Sequence, residues 1–252
     1  MIQGLYAAAN GMMAVEARQD AIANNIANAS TVGFKSVAPV ELGFYQTLSQ
    51  KLQKPFHYDI NPAPAGGVKV VETYTNLAAG VVRQSDNPLH IALQGPGYFA
   101  VDTAKGERYT RAGDFTCDEQ GRLCSSEGYA VQSTSGQPID VRGGQVNVDR
   151  EGRVTVDGVE AGIIRVVEFE NPERLLREGN NLYAASEEVI QKSAEAANTT
   201  VQQNYLEMSN VDLPHEMIVM MLGLRAYEAN QRAIEAMDST MGRLIDQVGM
   251  PA

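Results

Sequence analysis

No apolar run in this sequence is long enough to cross a membrane. The longest, residues 217–222 extended by Gly223 and Leu224, falls far short of the ~20 residues that a spanning helix requires. Basic residues are also scarce. There are 20 against 31 acidic residues, for a net charge of -11, and no lysine- or arginine-rich cluster offsets the balance locally. Nucleic acid and anionic membrane surfaces are therefore poor partners, and no membrane insertion is expected. Cysteine is limited to Cys117 and Cys124, which excludes a disulfide framework and a four-cysteine zinc site. The three histidines, His57, His90 and His215, are scattered, without an H-E-x-x-H pair or metal-ligand spacing. Gly95-Pro96-Gly97 fails the G-x-G-x-x-G pattern and reads as a turn before a strand, and G-x-S-x-G is absent. No metal, cofactor or catalytic residue is expected. A basic leader followed by an apolar block is missing as well, because Glu16, Arg18 and Asp20 interrupt the first helix, so export by an ordinary cleaved signal is not expected.

What is present is concentrated at the two ends. Leu5, Met12, Gln19 and Ile26 stand seven apart, with a companion row Ala8, Val15, Ile22 and Ala29 three residues on. Near the C-terminus Met217, Leu224, Gln231, Asp238 and Ile245 form one row, and Met220, Tyr227, Ile234, Met241 and Val248 the other. Both read as coiled-coil seams, with Gln19, Gln231 and Asp238 as register-setting polar positions. A helix over 213–248 would be roughly 50 Å long, more stripe than a partner of about 27 residues can cover. Asp212 is placed to cap it, with Pro214 in its first turn and Glu216 at its positive end.

The middle has another pattern. Hydrophobic residues make up 44% of the 252, enough for a core. Short β-type runs separated by glycine turns recur at 68–71, 81–84, 89–93, 98–101, 129–132, 146–148, 154–156 and 163–169. The fold class is α+β: N- and C-terminal α-helices pairing as a coiled coil, plus a central all-β domain of short strands and hairpins. The expected divisions are an N-terminal helix and turn over 1–35, an extended connector over 36–75 and a β domain over 76–185. A return linker over 186–211 and a C-terminal helix over 212–252 follow. The connector carries Phe44, Tyr45, Phe56 and Tyr58 before Asn61-Pro62-Ala63-Pro64-Ala65-Gly66-Gly67, which cannot be regular structure.

Within the β region Asp118-Glu119-Gln120-Gly121-Arg122-Leu123 repeats the form of Asp149-Arg150-Glu151-Gly152-Arg153-Val154. Aspartate first and glycine fourth suit a type I turn closed by a left-handed glycine with a bulge, and the ligand ladder of a calcium loop is missing. That turn places Cys117 opposite Leu123 and Cys124 opposite Thr116, on opposite sheet faces, as two free thiols. A register without the bulge would instead oppose the two cysteines.

Ala23-Asn24-Asn25-Ile26-Ala27-Asn28 is costly for a helix, because asparagine amides compete for backbone hydrogen bonds. One reading is an amide network against a neighbouring helix, with Asn24 and Asn28 one turn apart. The other is a helix end fraying into the Ser30-Thr31 loop.

These residues carry a resemblance. Ala23-Asn24-Asn25-Ile26-Ala27-Asn28-Ala29-Ser30-Thr31-Val32-Gly33-Phe34-Lys35, then Asn87-Pro88-Leu89 through Gly97-Tyr98-Phe99, then Tyr109-Thr110-Arg111-Ala112-Gly113-Asp114-Phe115 run in order along the chain. Ser209-Asn210-Val211-Asp212 with Glu216-Met217 and Arg225-Ala226-Tyr227-Glu228-Ala229-Asn230 complete the set. Together they resemble the flagellar basal-body rod proteins of bacteria, of the proximal and distal type. The short segment after Phe34-Lys35 leans toward the proximal type. The resemblance implies a structural subunit that polymerises with itself into a hollow helical rod and transmits torque from motor to hook. It further implies contacts with other rod and hook proteins, and passage through the flagellar export apparatus to a periplasmic rod in the basal body. The implied assembly residues are Leu5, Met12, Val15, Ile22, Asn24, Asn25, Ile26, Asn28, Met217, Met220, Leu224, Tyr227, Ile234 and Met241. Two alternatives from other classes are a β-domain enzyme resembling a cell-wall hydrolase, dimerised by the coiled coil, and a cytoplasmic coiled-coil adaptor.

Overall fold

A computed structural model describes residues 2–43, 68–191, 193–195 and 198–248. His57, the aromatics from Phe44 to Tyr58 and the Pro/Gly-rich stretch 61–67 lie outside the described residues. The chain divides into two compact units, one of Met1–Ala27, Val37–Asn76 and Asp212–Ala252, the other of Asn28–Ser36 and Leu77–Val211.

The first unit is built on two helices, Ile2–Ala27 and Leu213–Val248. The second begins as its sequence requires: Asp212 Oδ1 accepts the His215 N–H at 3.3 Å, and the Asp212 carbonyl accepts the Glu216 N–H at 2.9 Å. The helices run antiparallel, since Gly4 lies opposite Met237, Gly11 opposite Asn230 and Gly223 opposite Gln19. The same unit holds an antiparallel ladder of Val37–Gly43 with Val68–Thr75, in register from Val37 opposite Thr75 and shifted by a bulge at Val40/Glu41. The stretch expected as a plain connector therefore carries paired strands at both its ends. The β-branched and aromatic residues Val68, Val70, Val71, Thr73 and Tyr74 favour extended backbone once a facing strand is supplied.

The second unit is antiparallel β throughout its described strands. A nine-stranded sheet is centred on Tyr98–Thr103, which pairs with Gly106–Thr110 on one side and Ala130–Val131 on the other. Phe99 and Val101 enter one core with Phe115, Leu123, Val131, Ile139, Val154 and Ile164. Tyr98 and Ala100, pointing the opposite way, enter a second core with Tyr109, Val167, Phe169 and Tyr183. A strand covered on both faces explains why Tyr98-Phe99-Ala100-Val101 is an unbroken apolar run and not an alternating one. Phe99 meets Phe115 edge-on at 4.9 Å, and Tyr109 meets Phe169 at 4.8 Å.

Both Asp-x-x-Gly-Arg turns form as their residues require. Gly121 and Gly152 adopt φ of 85° and 84°. Asp118 Oδ1 accepts the Gln120 and Arg122 N–H groups, and Asp149 Oδ1 accepts those of Glu151 and Arg153. These backbone donors, Arg122 foremost, hold the Asp118 carboxyl below its ordinary range. Thr116 faces Cys124 and Cys117 faces Leu123, and both thiols are free, Cys117 exposed and Cys124 buried.

Two divisions read from the sequence require correction. Residues 28–36 pack with the β unit rather than with the N-terminal helix. The stretch 186–211, expected as a linker, contains one helical turn at Glu187–Gln191 and three strands. Ser193–Glu195 pairs with Val166–Phe169, Thr200–Gln203 with Ile91–Gln94, and Tyr205–Glu207 with Val82–Gln84. Val201 and Leu206 are buried, and those two side chains anchor the otherwise polar strands.

Candidate functional site

The helical pair is held by small and amide residues. A Cβ on Gly4 would stand 3.0 Å from Met237 Cε and one on Gly11 would stand 3.2 Å from Asn230 Nδ2, while one on Gly223 would collide with Gln19 Nε2. Glycine at these positions lets the helices approach closely. Gln19 then donates from Nε2 to the Met220 carbonyl at 2.8 Å. Asn25, 3% exposed, clamps the backbone of Val37: its Nδ2 donates to the Val37 carbonyl at 2.9 Å and its Oδ1 accepts the Val37 N–H at 2.9 Å. Its second amide hydrogen reaches Glu216 Oε1 at 2.9 Å. One side chain thereby ties the N-terminal helix to the first strand and to the first turn of the C-terminal helix.

Among the residues anticipated for assembly, Ile22 and Asn25 are buried in this arrangement. Leu5, Met12, Val15, Ile26, Asn28, Met220, Ile234 and Met241 are half-buried, whereas Asn24, Met217, Leu224 and Tyr227 are exposed. The phase of the intramolecular seam is therefore shifted by one residue on each helix. Gly4, Gly11 and Asn25 mark it on one, and Glu216, Gly223, Asn230 and Met237 on the other. Asn25 was anticipated, whereas Gly4, Gly11 and the row Glu216, Gly223, Asn230 and Met237 were not anticipated as seam positions, although those last four are themselves seven apart. An apolar-only search passes over such a row.

Large apolar side chains occupy the solvent side instead. Tyr6 and Met13 on the first helix, and Met217, Ile218, Met221, Leu222 and Leu224 on the second, are each 53% to 66% exposed. Met217, Met221 and Leu224 follow the spacing of one helical stripe, as do Ile218 and Leu222.

Within the β unit, the turn after the first helix is anchored by a buried ion cluster. Gly33, at φ 68°, donates its N–H to the Glu207 carbonyl at 2.7 Å, and a Cβ there would run into the backbone of Arg111 and Ala112. Lys35 is fully buried, its Nζ donating to Glu207 Oε1 at 2.6 Å and to the Ala78 carbonyl at 2.7 Å. Glu207 Oε1 also accepts the Gly80 N–H at 2.9 Å, and Oε2 accepts from Arg111 at 3.4 Å. Arg111 lies 4.8 Å from the Tyr98 ring centre and donates to the Gly95 carbonyl at 2.7 Å, while its Nε is buried with no hydrogen-bond partner among the described residues. Two cations thus share one carboxylate, and burial pulls the Lys35 ammonium below its ordinary range against the opposing pull of Glu207. Beside it Phe34 is covered by Arg177 at 4.4 Å, Asn181 donates to the Val32 carbonyl, and Asn210 accepts the Ser36 N–H. Residues from 32–36, 78–80, 95–111, 177–181 and 207–210, five segments far apart along the chain, converge here.

No constellation for catalysis gathers among the described residues. Ser85 Oγ lies 2.7 Å from His90 Nδ1, but the hydroxyl also accepts the Asn87 N–H and belongs to a turn. Clefts of about 260 and 540 Å³ on the β unit are lined by Lys105, Tyr129 and Glu178 in one and Gln145, Asp157 and Gln203 in the other, without a histidine.

Comparison with known proteins matches three parts of the chain to family descriptions. Residues 5–35 match "Flagella basal body rod protein", 92–156 match "Flagellar hook protein FlgE/F/G D1 domain", and 202–247 match "Flagellar basal body rod FlgEFG protein C-terminal". The chain is 32% identical to the flagellar basal-body rod protein FlgG of Bacillus subtilis, over 98% of this chain and 99% of the relative. It is 33% identical to FlgG of Caulobacter vibrioides over 95% and 97%, and 31% identical to the rod protein FlgF of Mesorhizobium japonicum over 99% of each.

Proposed function

Because this chain belongs to the flagellar basal-body rod protein family, a structural family and not one of enzymes, we propose that it is a self-assembling rod subunit whose terminal helices join copies into a hollow helical tube. The tube would cross the periplasm, meet other rod and hook proteins at its ends, and carry torque from motor to hook. Its subunits would reach it through the flagellar export apparatus. One observation carries the reading. The closest approaches between the helices are made at Gly4, Gly11 and Gly223 and by the Gln19 and Asn25 amides, while Met217, Ile218, Met221, Leu222 and Leu224 face outward. An apolar stripe of this size on a soluble chain gains only by being covered, and a second copy supplies the same stripe.

Replacing Leu224 by Asp tests this. The side chain is 54% exposed, so the isolated subunit should unfold at the same urea concentration as the parent, while assembly seen by sedimentation and electron microscopy is lost. Normal tubes from the variant would overturn the reading.

A further inference from the structure

Of the ten methionines, all but Met208 lie in residues 1–27 or 212–252, where no phenylalanine occurs. Met13, Met217 and Met221 are 66%, 54% and 55% exposed. The last two stand one turn apart on the same stripe as Leu224. Met237 contrasts with them, because its Cε and Sδ pack over Gly4 within the seam. A thioether is soft and apolar, which suits an adaptable contact, but it is also the side chain that peroxide oxidises most readily after a thiol.

We propose that the Met13, Met217 and Met221 thioethers form an oxidation-sensitive element, at which a peroxide converts the free chain into one that cannot self-associate. This rests on the self-association reading above. In the step the sulfur lone pair attacks one peroxide oxygen and the O–O bond breaks. An S–O bond forms, the sulfur is oxidised by two electrons, and the second oxygen leaves as water once protonated. The product is a strong hydrogen-bond acceptor set in an apolar stripe, and covering it strips its water without supplying a donor. Reversal takes two electrons and two protons from a dithiol reductase and releases the oxygen as water. Burial in an assembled tube would shield the same sulfurs, so the element responds only before assembly.

The exposed Cys117 is a competing target and is replaced by serine in every sample. Cys124 is buried, and that burial, with Asp118 Oδ2 at 3.6 Å from its sulfur, keeps it in the less reactive thiol form. The full-length Cys117→Ser chain and a second chain that also carries Met13→Leu, Met217→Leu and Met221→Leu are each treated with hydrogen peroxide. Each is then compared with its own untreated sample. Mass spectrometry should find sulfoxide at Met13, Met217 and Met221 several-fold sooner than at Met237 or Met208. Oxidation should weaken self-association of the first chain by about tenfold or more, a mixture of reductases for both sulfoxide epimers should restore it, and the leucine chain should lose little. Equal oxidation rates at Met237, an oxidised chain that assembles as before, or an equal loss in the leucine chain would each overturn the proposal. An untreated Cys117→Ser chain that never associates would overturn the self-association reading itself, a result that the order of oxidation does not affect.

Discussion

In the β unit the large side chains point inward and even the charges of Lys35, Arg111 and Glu207 are buried, whereas in the helical unit glycines and amides line the inside and Met221, Leu222 and Leu224 face solvent. The aromatic residues are divided in the same sense: Tyr98, Phe99, Tyr109, Phe115 and Tyr183 are at most 2% exposed, while Tyr6 on the first helix is 54% exposed. The difference teaches that apolar side chains within one chain can be put to different uses. One kind of surface is consumed in making a body, and the other is kept available outside it.

The sharpest way to break that contrast is to remove Glu207. A Glu207→Ala chain leaves Lys35 and Arg111 buried without their carboxylate, and the β unit should lose about 3–5 kcal/mol of unfolding free energy in urea titrations. A loss below about 1 kcal/mol would mean that the cluster is wet and that the β unit is not sealed as the contrast requires.

A smaller effect separates the units by pH. Burial raises the phenol groups of Tyr98 and Tyr109 and pushes that of Tyr183 up to about 12 from an ordinary 10. Because the folded chain holds these protons more tightly than the unfolded one, their stabilisation is complete below pH 10 and is lost as pH rises through about 12. For Tyr183 that rise is worth roughly 3 kcal/mol. Tyrosinate absorbance and loss of β-sheet signal should appear together over this interval. Phenol ionisation of these residues with the sheet intact would contradict their burial.

The smallest effects lie in the helices. At Gly242 an added Cβ meets nothing within 4 Å, so Gly242→Ala should stabilise the C-terminal helix by up to about 1 kcal/mol. Gly223→Ala carries the same helical advantage but displaces Gln19 from the Met220 carbonyl, and should gain little or lose slightly. Equal gains at both sites, measured by thermal unfolding of the helical signal, would show that the seam tolerates a wider spacing.

Much of this was legible in the sequence. The two Asp-x-x-Gly-Arg turns set the faces of Cys117 and Cys124 because a left-handed glycine fixes the register locally. The start of the C-terminal helix was legible for another local reason, the Asp212 cap. The phase of the helical seam was not, because a search for apolar rows finds Leu5 and Met217 and passes Gly4 and Glu216, whose value lies in close approach and hydrogen bonding. Nor were the strands at 200–207, since Thr200-Val201-Gln202-Gln203 is polar apart from Val201 and its partners at 91–94 lie about a hundred residues away. Lys35 is the extreme case. Nothing near it in the chain foretells burial, because the carboxylate that makes burial tolerable is 172 residues downstream.

That separation has a consequence for timing. A chain made or delivered from its N-terminus presents Lys35 early and Glu207 only when four-fifths of its length has emerged. The last strand of the β unit and the second helix come later than every segment they must join. The β unit cannot close before Val211 has emerged, and the helical unit must wait for the second helix, so topology alone postpones folding to the last fifth of the chain.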